Sequence, residues 1–554
     1  MMRNNTILNL LPISICFFGA IGCTGFLDTC YNINQNDEII SQNAGSIWGF
    51  ANAFYSPIEH GLQSIDYNLF ATVSDECQQT APSSEALYFN KGVVNSSVNP
   101  LFSAYLNCYE GIRAATYFLD YVADGKGEKL LAMNRDLVQD EYNYKIELQS
   151  LEWYIAEAHI AKAYYYSELL KMYGGVPIIE DFDIKTRRIV PRSSYDDCVK
   201  YIVKEIDDWK NSLALNWNDF AEREGRFTYG VALAIKARTL LYAASPLNNP
   251  ENDPEKWKAA LTAAGDLINS GMYSLSPDYD MFSGAAPLTS PEAIYIVRTY
   301  TSSDPEIQNY PISTPGGKSG ACPTQNLVDA YEYVAAKNPA NPYLNKDPRF
   351  YASIVYNGSK WNGRIIAQGP GEKDDMANPN TSRTGYYLKK FLTDELNLQQ
   401  GQTAQHNWIA YRYAEVLLSY AEAANEIYGP DKIPVAQTLS ARQALQMVRD
   451  RASTSLPPVE VASVKDFREA VKHERQIELA FENHRYWDLL RWKDAEDVLN
   501  RAVKGVKIEK PGGKYTYQVI DVADRTFHDY NYRLPFLRSE IENSNGLLEQ
   551  NPGY

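Results

Sequence analysis

Cysteine is scarce in this chain, and its spacing argues against most cysteine chemistry. The 554 residues include 7 cysteines, and none of those downstream of Cys23 forms a C-x-x-C pair. Zinc sites and disulfide frameworks need paired spacings, and an odd number leaves at least one thiol unpaired. The sequence therefore predicts neither kind of site. The cysteines beyond Cys23 are Cys30, Cys77, Cys108, Cys198 and Cys322.

Positive charge is also in deficit. The chain carries a formal net charge of -16 and has a sequence pI of about 5.0. Nucleic-acid binding requires clustered lysine and arginine against the phosphates, and no basic stripe is present. We therefore expect no nucleic-acid partner. A hydrophobic content of 45% with 22% charged residues is typical of a globular protein with a full core.

Long apolar runs are absent except for a short one near the N-terminus. Arg3 precedes an apolar run over residues 7–18, and small residues then lead into Cys23. The run is too short to span a bilayer and has the form of a signal peptide. It resembles a bacterial lipoprotein signal, which implies removal of residues 1–22 and lipidation of the Cys23 thiol. A secretory signal with a coincidental cysteine is the alternative.

No complete catalytic motif occurs in the densest chemical stretch, HERQIELAFENHRYWDLLRWK (473–493). A helical zinc protease motif needs a second histidine one turn after the first, and Ile477 stands there. Glu478 and Glu482 are one helical turn apart and resemble in spacing the carboxylate pair of a glycosidase. The neighbouring charges favour a structural role for Glu478 and Glu482 over a catalytic one.

Those charges have the order expected of an ion ladder. Arg475, Glu478, Glu482 and Arg485 fall at helical spacing with signs that cancel. Asn483 tolerates the left-handed conformation and can break the helix, in which case we expect two local ion pairs. Either way, the stretch is interpreted as scaffold, with no catalytic residue, metal ligand or cofactor.

Alanine-rich stretches with helical apolar spacing dominate the rest of the chain. Small residues three and four positions apart let helices approach closely, which suggests a tetratricopeptide-like stack of helix pairs. The full 34-residue repeat consensus does not recur. The clearest predicted helices span residues 146–175, 228–245, 257–271, 408–429 and 439–452.

Long segments rich in proline, glycine, asparagine and serine separate these helices. They cover roughly residues 274–325, 335–385 and 505–554, and they carry many aromatic residues. Loops of this length in a compact protein are usually functional or disordered, and the aromatics favour order. No change in composition divides the chain into independent domains.

Several stretches together resemble the SusD/RagB family of outer-membrane lipoproteins. They are FLDT after Cys23, HIAKAYYYSELLKMYGGVPII (159–179), YRYAEVLLSYAEAANE (411–426), the stretch at 473–493 and the tail from residue 532. The resemblance implies one mainly α domain over residues 23–554, in which about four tetratricopeptide-like helix pairs support a loop-rich region with a few short strands.

The resemblance also implies a function and a location. Such proteins are lipid-anchored in the outer membrane, face the cell surface, and pass glycans to a SusC-like TonB-dependent transporter without catalysis. Capture of peptides or glycopeptides on the same fold is one alternative. A glycoside hydrolase is another, and it would require a pair of carboxylates at a fixed separation.

Candidate ligand contacts lie in two inserted loops, roughly 74–100 and 274–385, where the resemblance places the binding site. A sugar offers an apolar ring face and a rim of hydroxyls, so a binder needs flat aromatics and polar side chains. Trp361, in GSKWNGR, is the best single platform because its neighbours suggest a turn tip. The family often has a tryptophan in the first loop, and this chain has none there. The full set is Asp75, Tyr88, Phe89, Asn90, Tyr300, Tyr310, Trp361 and Arg383.

Overall fold

The computed structural model describes residues 44–180, 189–217 and 225–554. The predicted signal segment 1–22 and the predicted lipidation site Cys23 lie outside these ranges. Within them the chain is mainly helical, and its strands are short and arranged in two-stranded sheets. The mainly α fold expected from the sequence is confirmed.

The longer helices of the described ranges carry most of the fold. They are α1 (Gly45–Ala53), α2 (Phe102–Val122), α3 (Glu141–Tyr173), α4 (Tyr195–Trp209), α5 (Tyr229–Ala244), α6 (Pro254–Asn269), α7 (Tyr413–Tyr428), α8 (Ala441–Arg449), α9 (Val464–Glu478) and α10 (Arg485–Trp492). Short helices span Ala86–Asn90, Lys126–Ala132, Ala286–Thr289, Asp304–Asn309, Gln325–Ala330, Pro348–Ser353, Ala495–Leu499 and Arg538–Asn543.

The strands are β1 (Cys77–Gln79), β2 (Ala293–Arg298), β3 (Ala321–Pro323), β4 (Ile354–Val355), β5 (Lys360–Trp361), β6 (Arg364–Ile365), β7 (Tyr387–Leu388), β8 (Asn407–Arg412), β9 (Val503–Glu509) and β10 (Thr516–Ala523). They pair antiparallel as β1 with β3, β2 with β8, β4 with β7, β5 with β6 and β9 with β10.

Local sequence explains where the helices begin and end. Thr228 caps α5 by accepting the N–H of Val231, and Ser440 forms a reciprocal capping box at the start of α8. Helices α3 and α7 end at Gly174 and Gly429, whose φ angles are 77° and 76°. A left-handed conformation at a helix end suits glycine, which has no Cβ to crowd the backbone.

Consecutive helices pack into pairs. Helix α2 packs on α3, α3 on α4, α5 on α6, and α7 on both α8 and α9, while α6 also packs on α7. Alanines make the close contacts: Ala414, Ala421 and Ala424 of α7 are fully buried. This stack of helix pairs is the tetratricopeptide-like scaffold that the alanine spacing suggested.

Two boundaries differ from the sequence predictions. The segment 408–429 was expected to be helical throughout, but its first residues belong to β8, where Trp408, Ile409 and Tyr411 are buried against β2. Aromatic and β-branched side chains suit such a strand. The expected loop 505–554 contains most of the β9–β10 hairpin, and in β9 outward lysines alternate with buried residues.

The buried apolar side chains form one connected core that reaches from Ile47 to Leu548 and includes residues of both helices and loops. The loops are therefore packed against the scaffold. Among the described helices, none combines the length and the apolar character needed to cross a bilayer.

Candidate functional site

The two predicted ligand loops meet in one small sheet. Strand β1 of the first loop pairs with β3 of the second. The N–H of Thr80 also donates to the carbonyl of Gly320 at 3.0 Å. Because backbone hydrogen bonds join the loops, they form one ordered unit. We call residues 65–90 and 319–324 the loop junction.

A tight turn at the loop junction brings Tyr67 to the surface. Ile65 and Asn68 exchange two backbone hydrogen bonds, of 3.1 and 2.7 Å. The central residues, Asp66 and Tyr67, have φ angles of 50° and 58°, a conformation unfavourable for a tyrosine because its Cβ crowds the backbone. The Asn68 amide holds the turn by donating to Asn309 at 3.1 Å. The Tyr67 side chain is 72% exposed.

The same turn is tied to the short helix that carries Tyr88. The Asp66 carboxylate accepts the N–H of Glu85 at 2.8 Å and the hydroxyl of Ser84. Tyr88 lies one helical turn later and is 40% exposed. Neither the Tyr67 nor the Tyr88 hydroxyl makes a hydrogen bond within the described chain. One exposed tyrosine thus adjoins Asp66 in the chain, and the other follows Ser84, which Asp66 binds, by one helical turn.

Phe89 and Asn90 are internal, which corrects the expectation that they face a ligand. Phe89 packs edge-on against Phe70 and Tyr486, with ring centroids 5.6 and 5.8 Å apart. The Asn90 amide donates to the Thr72 carbonyl at 3.2 Å. Both side chains are therefore occupied in fixing the first loop to the core.

Asp75 is also engaged internally. Its two carboxylate oxygens accept from the Arg485 guanidinium at 2.9 and 3.0 Å, and its side chain is 13% exposed. Burial alone favours a higher pKa for Asp75, but the charge and hydrogen bonds of Arg485 outweigh it and hold the pKa below its usual range. The expectation that this carboxylate is free for ligand hydroxyls is corrected accordingly.

The same correction applies to Tyr310 and Trp361. Their rings meet edge-on at 6.1 Å, and the side chains are 0% and 2% exposed. The tip of the turn between β5 and β6 is Asn362 and Gly363, both with positive φ, and Trp361 points inward from the strand before it. The Tyr310 hydroxyl donates to the Thr393 carbonyl. These aromatics anchor the central loop and present no face to a ligand in this conformation.

Tyr300 and Arg383 are accessible. Tyr300 follows β2 and is 94% exposed. Two residues later, Ser302 exchanges two backbone hydrogen bonds of 2.9 Å with Ala404. Arg383 is exposed just before β7, which packs on β3 at the edge of the loop junction. Its guanidinium has no hydrogen-bond or ion-pair partner in the described ranges. Both residues remain predicted ligand contacts.

Sequence reasoning missed Tyr67. The polar residues around it, in SIDYNL, are turn formers, and they were the available signal. A tyrosine is an unusual occupant of a left-handed turn position, so the residue type concealed the turn.

The predicted ion ladder is replaced by a buried network. Helix α9 ends at Glu478, and Phe481 and Asn483 adopt φ angles of 67° and 61°, so the predicted break at Asn483 is confirmed. The two expected local pairs, Arg475 with Glu478 and Glu482 with Arg485, are wrong. Asp488 binds Arg475 at 2.9 Å, and Arg485 binds Asp75.

Glu478 and Glu482 bind cations from distant segments. Glu478 accepts from Arg349, Arg412 and Arg451 at 2.7 to 2.8 Å, and Glu482 accepts from Arg412 and Lys390. Burial acts to raise the pKa of both carboxyls, but the cations outweigh it and lower both pKa values. We call residues 478–485 with these partners the charged junction. It fastens the loop region to α9 and α10, and neither carboxylate is suited to act as a general acid.

The described residues form neither a metal-binding cluster nor a disulfide. No group of three or more histidine, cysteine, aspartate or glutamate side chains there has the arrangement of a metal site. The described cysteines, Cys77, Cys108, Cys198 and Cys322, are free thiols and buried.

Known proteins resemble this chain in sequence and fold. A family model described as the SusD family matches residues 296–554, and another described as starch-binding associating with outer membrane matches residues 26–241. SusD-like protein P38 of Formosa agariphila is 25% identical over 367 residues, which is 62% of this chain and 67% of that protein.

Two solved structures from Bacteroides fragilis share the fold. A SusD-like protein superposes with a TM-score of 0.76 at 24% identity, covering 94% of this chain and 99% of the other. A protein described as a SusD-like carbohydrate binding protein gives a TM-score of 0.73 at 22% identity, covering 92% and 99%.

Proposed function

The chain belongs to the SusD/RagB family, and on that premise we propose that it is a non-catalytic glycan-binding lipoprotein. It binds an oligosaccharide or polysaccharide at the cell surface and delivers it to a SusC-like TonB-dependent transporter. The matched descriptions of starch binding and outer-membrane association support the ligand class and the location.

The observation that carries the proposal is the pair of exposed tyrosines at the loop junction. Tyr67 and Tyr88 offer aromatic faces for the C–H side of a sugar ring, and Asp66, next to Tyr67 in the chain, offers acceptor capacity for hydroxyls. Their backbone is fixed before a ligand arrives, so little conformational entropy is lost on binding. Arg383 and Tyr300, which are also exposed, are further contacts in this proposal.

The N-terminus supplies the anchor in this proposal. Residues 1–22 are removed, Cys23 is lipidated, and the mature chain from Cys23 forms one domain held at the outer membrane by the lipid. The transporter partner is part of the same proposal, and cofactors have no role in it.

Affinity electrophoresis tests the proposal. Soluble protein beginning at Thr24 is run through native gels that each contain a different polysaccharide, starting with starch. We expect the protein to migrate more slowly in at least one polysaccharide gel than in a native gel without polysaccharide. The same polysaccharide, incubated with the protein, should keep its chain length.

The other outcomes separate the alternatives. Retardation with shortening of the polysaccharide indicates a glycoside hydrolase. Absence of retardation in every gel, followed by binding to a peptide or glycopeptide pool, indicates the alternative cargo. Loss of retardation in the Tyr67→Ala variant, with retention in Tyr142→Ala, assigns binding to the loop junction. Tyr142 is a matched control because it is 77% exposed on α3.

A further inference from the structure

A cavity lies inside the scaffold, and Phe70 is its one lining residue that belongs to the loop junction. The cavity has a volume of about 120 Å³ and is bounded by α2, α3, α5 and α10, together with residues 57–70, 408–411 and 482–484. None of its lining residues belongs to the predicted ligand loops 74–100 and 274–385. At its outer end Glu59 is exposed and Asn107 is half-buried.

The cavity wall carries polar groups that the protein leaves without partners. Within the described chain, no hydrogen bond uses the ring nitrogens of His484, the hydroxyls of Tyr164 and Tyr242, or the indole N–H of Trp408 and Trp487. Each of these side chains is at least 91% buried, with exposed fractions of 6% to 9%. Their nitrogen and oxygen atoms nevertheless keep some contact with solvent.

Buried polar groups are normally satisfied, because an unpaired one destabilises the fold by about 1–3 kcal/mol. The contents of this cavity, water or another molecule, therefore meet several donors and acceptors that lack a protein partner. They must also tolerate aromatic walls, since rings of tyrosine and tryptophan make up much of the lining. Hydroxyl groups on a compact carbon skeleton meet both conditions.

We propose that this cavity is a second ligand site, which takes a small polyhydroxylated molecule between glycerol and a single sugar unit in size. The indole and phenol groups donate to its hydroxyls, while Asn107 and the Glu168 carboxylate receive hydroxyls near the outer end. At about 30 Å³ per water molecule, the volume equals about four waters, so a longer chain enters by one terminal unit only.

Saturation-transfer NMR of the full soluble protein tests the site, with glycerol, D-xylose and D-glucose as separate probes. Ala104 lines the cavity from α2, and Ala104→Leu fills the space. Asn107→Leu removes an amide that makes no hydrogen bond within the described chain, so it is the milder variant. Circular dichroism and the melting temperature establish that each variant is folded.

We expect a signal from at least one probe with the unaltered protein and a dissociation constant weakened by about tenfold or more in both cavity variants. The Tyr67→Ala variant should keep the signal, because Tyr67 does not line the cavity. No signal from any probe, or a signal that both cavity variants retain, overturns the proposal and leaves a hydrated cavity. A signal lost in Tyr67→Ala alone assigns the probe to the loop junction and also overturns it. A free monosaccharide signal without oligosaccharide binding identifies the free sugar as the ligand.

Discussion

The charged junction and the two exposed tyrosines of the loop junction differ in whether their polar groups have partners inside the protein. At the charged junction, Glu478 and Glu482 bind arginine and lysine side chains drawn from distant segments, and all are at most 3% exposed. At the loop junction, the Tyr67 and Tyr88 hydroxyls have no partner within the described chain. A dense cluster of charges therefore indicates scaffold here, whereas the exposed groups without internal partners are the ligand contacts that we propose.

Removing one cation from the charged junction should produce the largest effect. In Arg412→Met, Glu478, Glu482 and Glu292 lose a shared partner while they stay buried. Breaking a buried ion pair destabilises a protein by about 3–5 kcal/mol. We expect a decrease of that size in the free energy of unfolding, measured by urea denaturation with circular dichroism.

The matched control is an exposed pair. Lys204 binds Asp208 on the surface of α4, and Lys204→Met should leave the free energy of unfolding unchanged within error. Similar small losses in both variants would show that the charged junction contributes no more than a surface pair, and the contrast drawn above would fail.

Glu76, a buried carboxyl of the loop junction, should make the stability of the protein depend on pH. This carboxyl is 1% exposed, its oxygen accepts the Phe481 N–H at 3.1 Å, and burial raises its pKa from 4.5 to about 8. Because the folded pKa exceeds the unfolded one, the stabilising contribution is complete below about pH 4.5 and is lost as the pH rises through 8. We expect the free energy of unfolding to fall by a few kcal/mol across that window.

Glu76→Gln isolates this contribution, since the amide keeps an acceptor for Phe481 and does not titrate. The variant should lose most of the decrease between pH 4.5 and 8 and should exceed the unaltered protein in stability above pH 8. Parallel pH profiles for the two proteins would refute a raised pKa at Glu76.

Tyr67→Ala examines the other half of the comparison. Removing one aromatic contact from a small binding surface should weaken glycan affinity by about 1–2 kcal/mol, or roughly 5- to 30-fold. Affinity electrophoresis across a series of polysaccharide concentrations gives the dissociation constant. Tyr88→Ala should act in the same direction, and Tyr142→Ala should have no effect. Equal losses in all three variants would mean that the measured binding does not report on the loop junction.

Trp361→Phe should have the smallest effect. The buried Nε1 of Trp361 has no partner in the described chain, so loss of the indole N–H leaves no hydrogen bond broken. We expect a decrease in stability of less than about 1.5 kcal/mol in urea denaturation and an unchanged glycan affinity. An affinity loss as large as that of Tyr67→Ala would restore Trp361 as a ligand platform.

Local patterns in the sequence were enough for the scaffold. Alanine spacing predicted the helices that became α3, α5, α6, α7 and α8. The break at Asn483 also followed from its own backbone preference. These features depend on residues within one or two turns, which the sequence displays directly.

The partners and the burial of individual side chains could not be predicted from local sequence patterns. Arg475 and Glu478 are three residues apart on the same helix, α9, yet Arg475 binds Asp488 of α10 and Glu478 binds Arg451. These partners reach α9 only in the folded chain. Trp361 has the neighbours of a turn tip but lies one residue before it, where the pleat directs its ring inward. The charged partners of Arg475 and Glu478 lie between 13 and 129 positions away in the chain.

The sequence by itself determined the helical scaffold, the family and the absence of a complete catalytic motif, since these depend on short-range spacing and on residue types. Only the tertiary structure decided which polar and aromatic side chains are used inside the protein. In the folded chain Asp75 forms an ion pair with Arg485, the rings of Phe89, Tyr310 and Trp361 are buried, and Tyr67 is exposed. Burial and pairing are properties of the whole fold, and they separate a ligand surface from an anchor made of the same residue types.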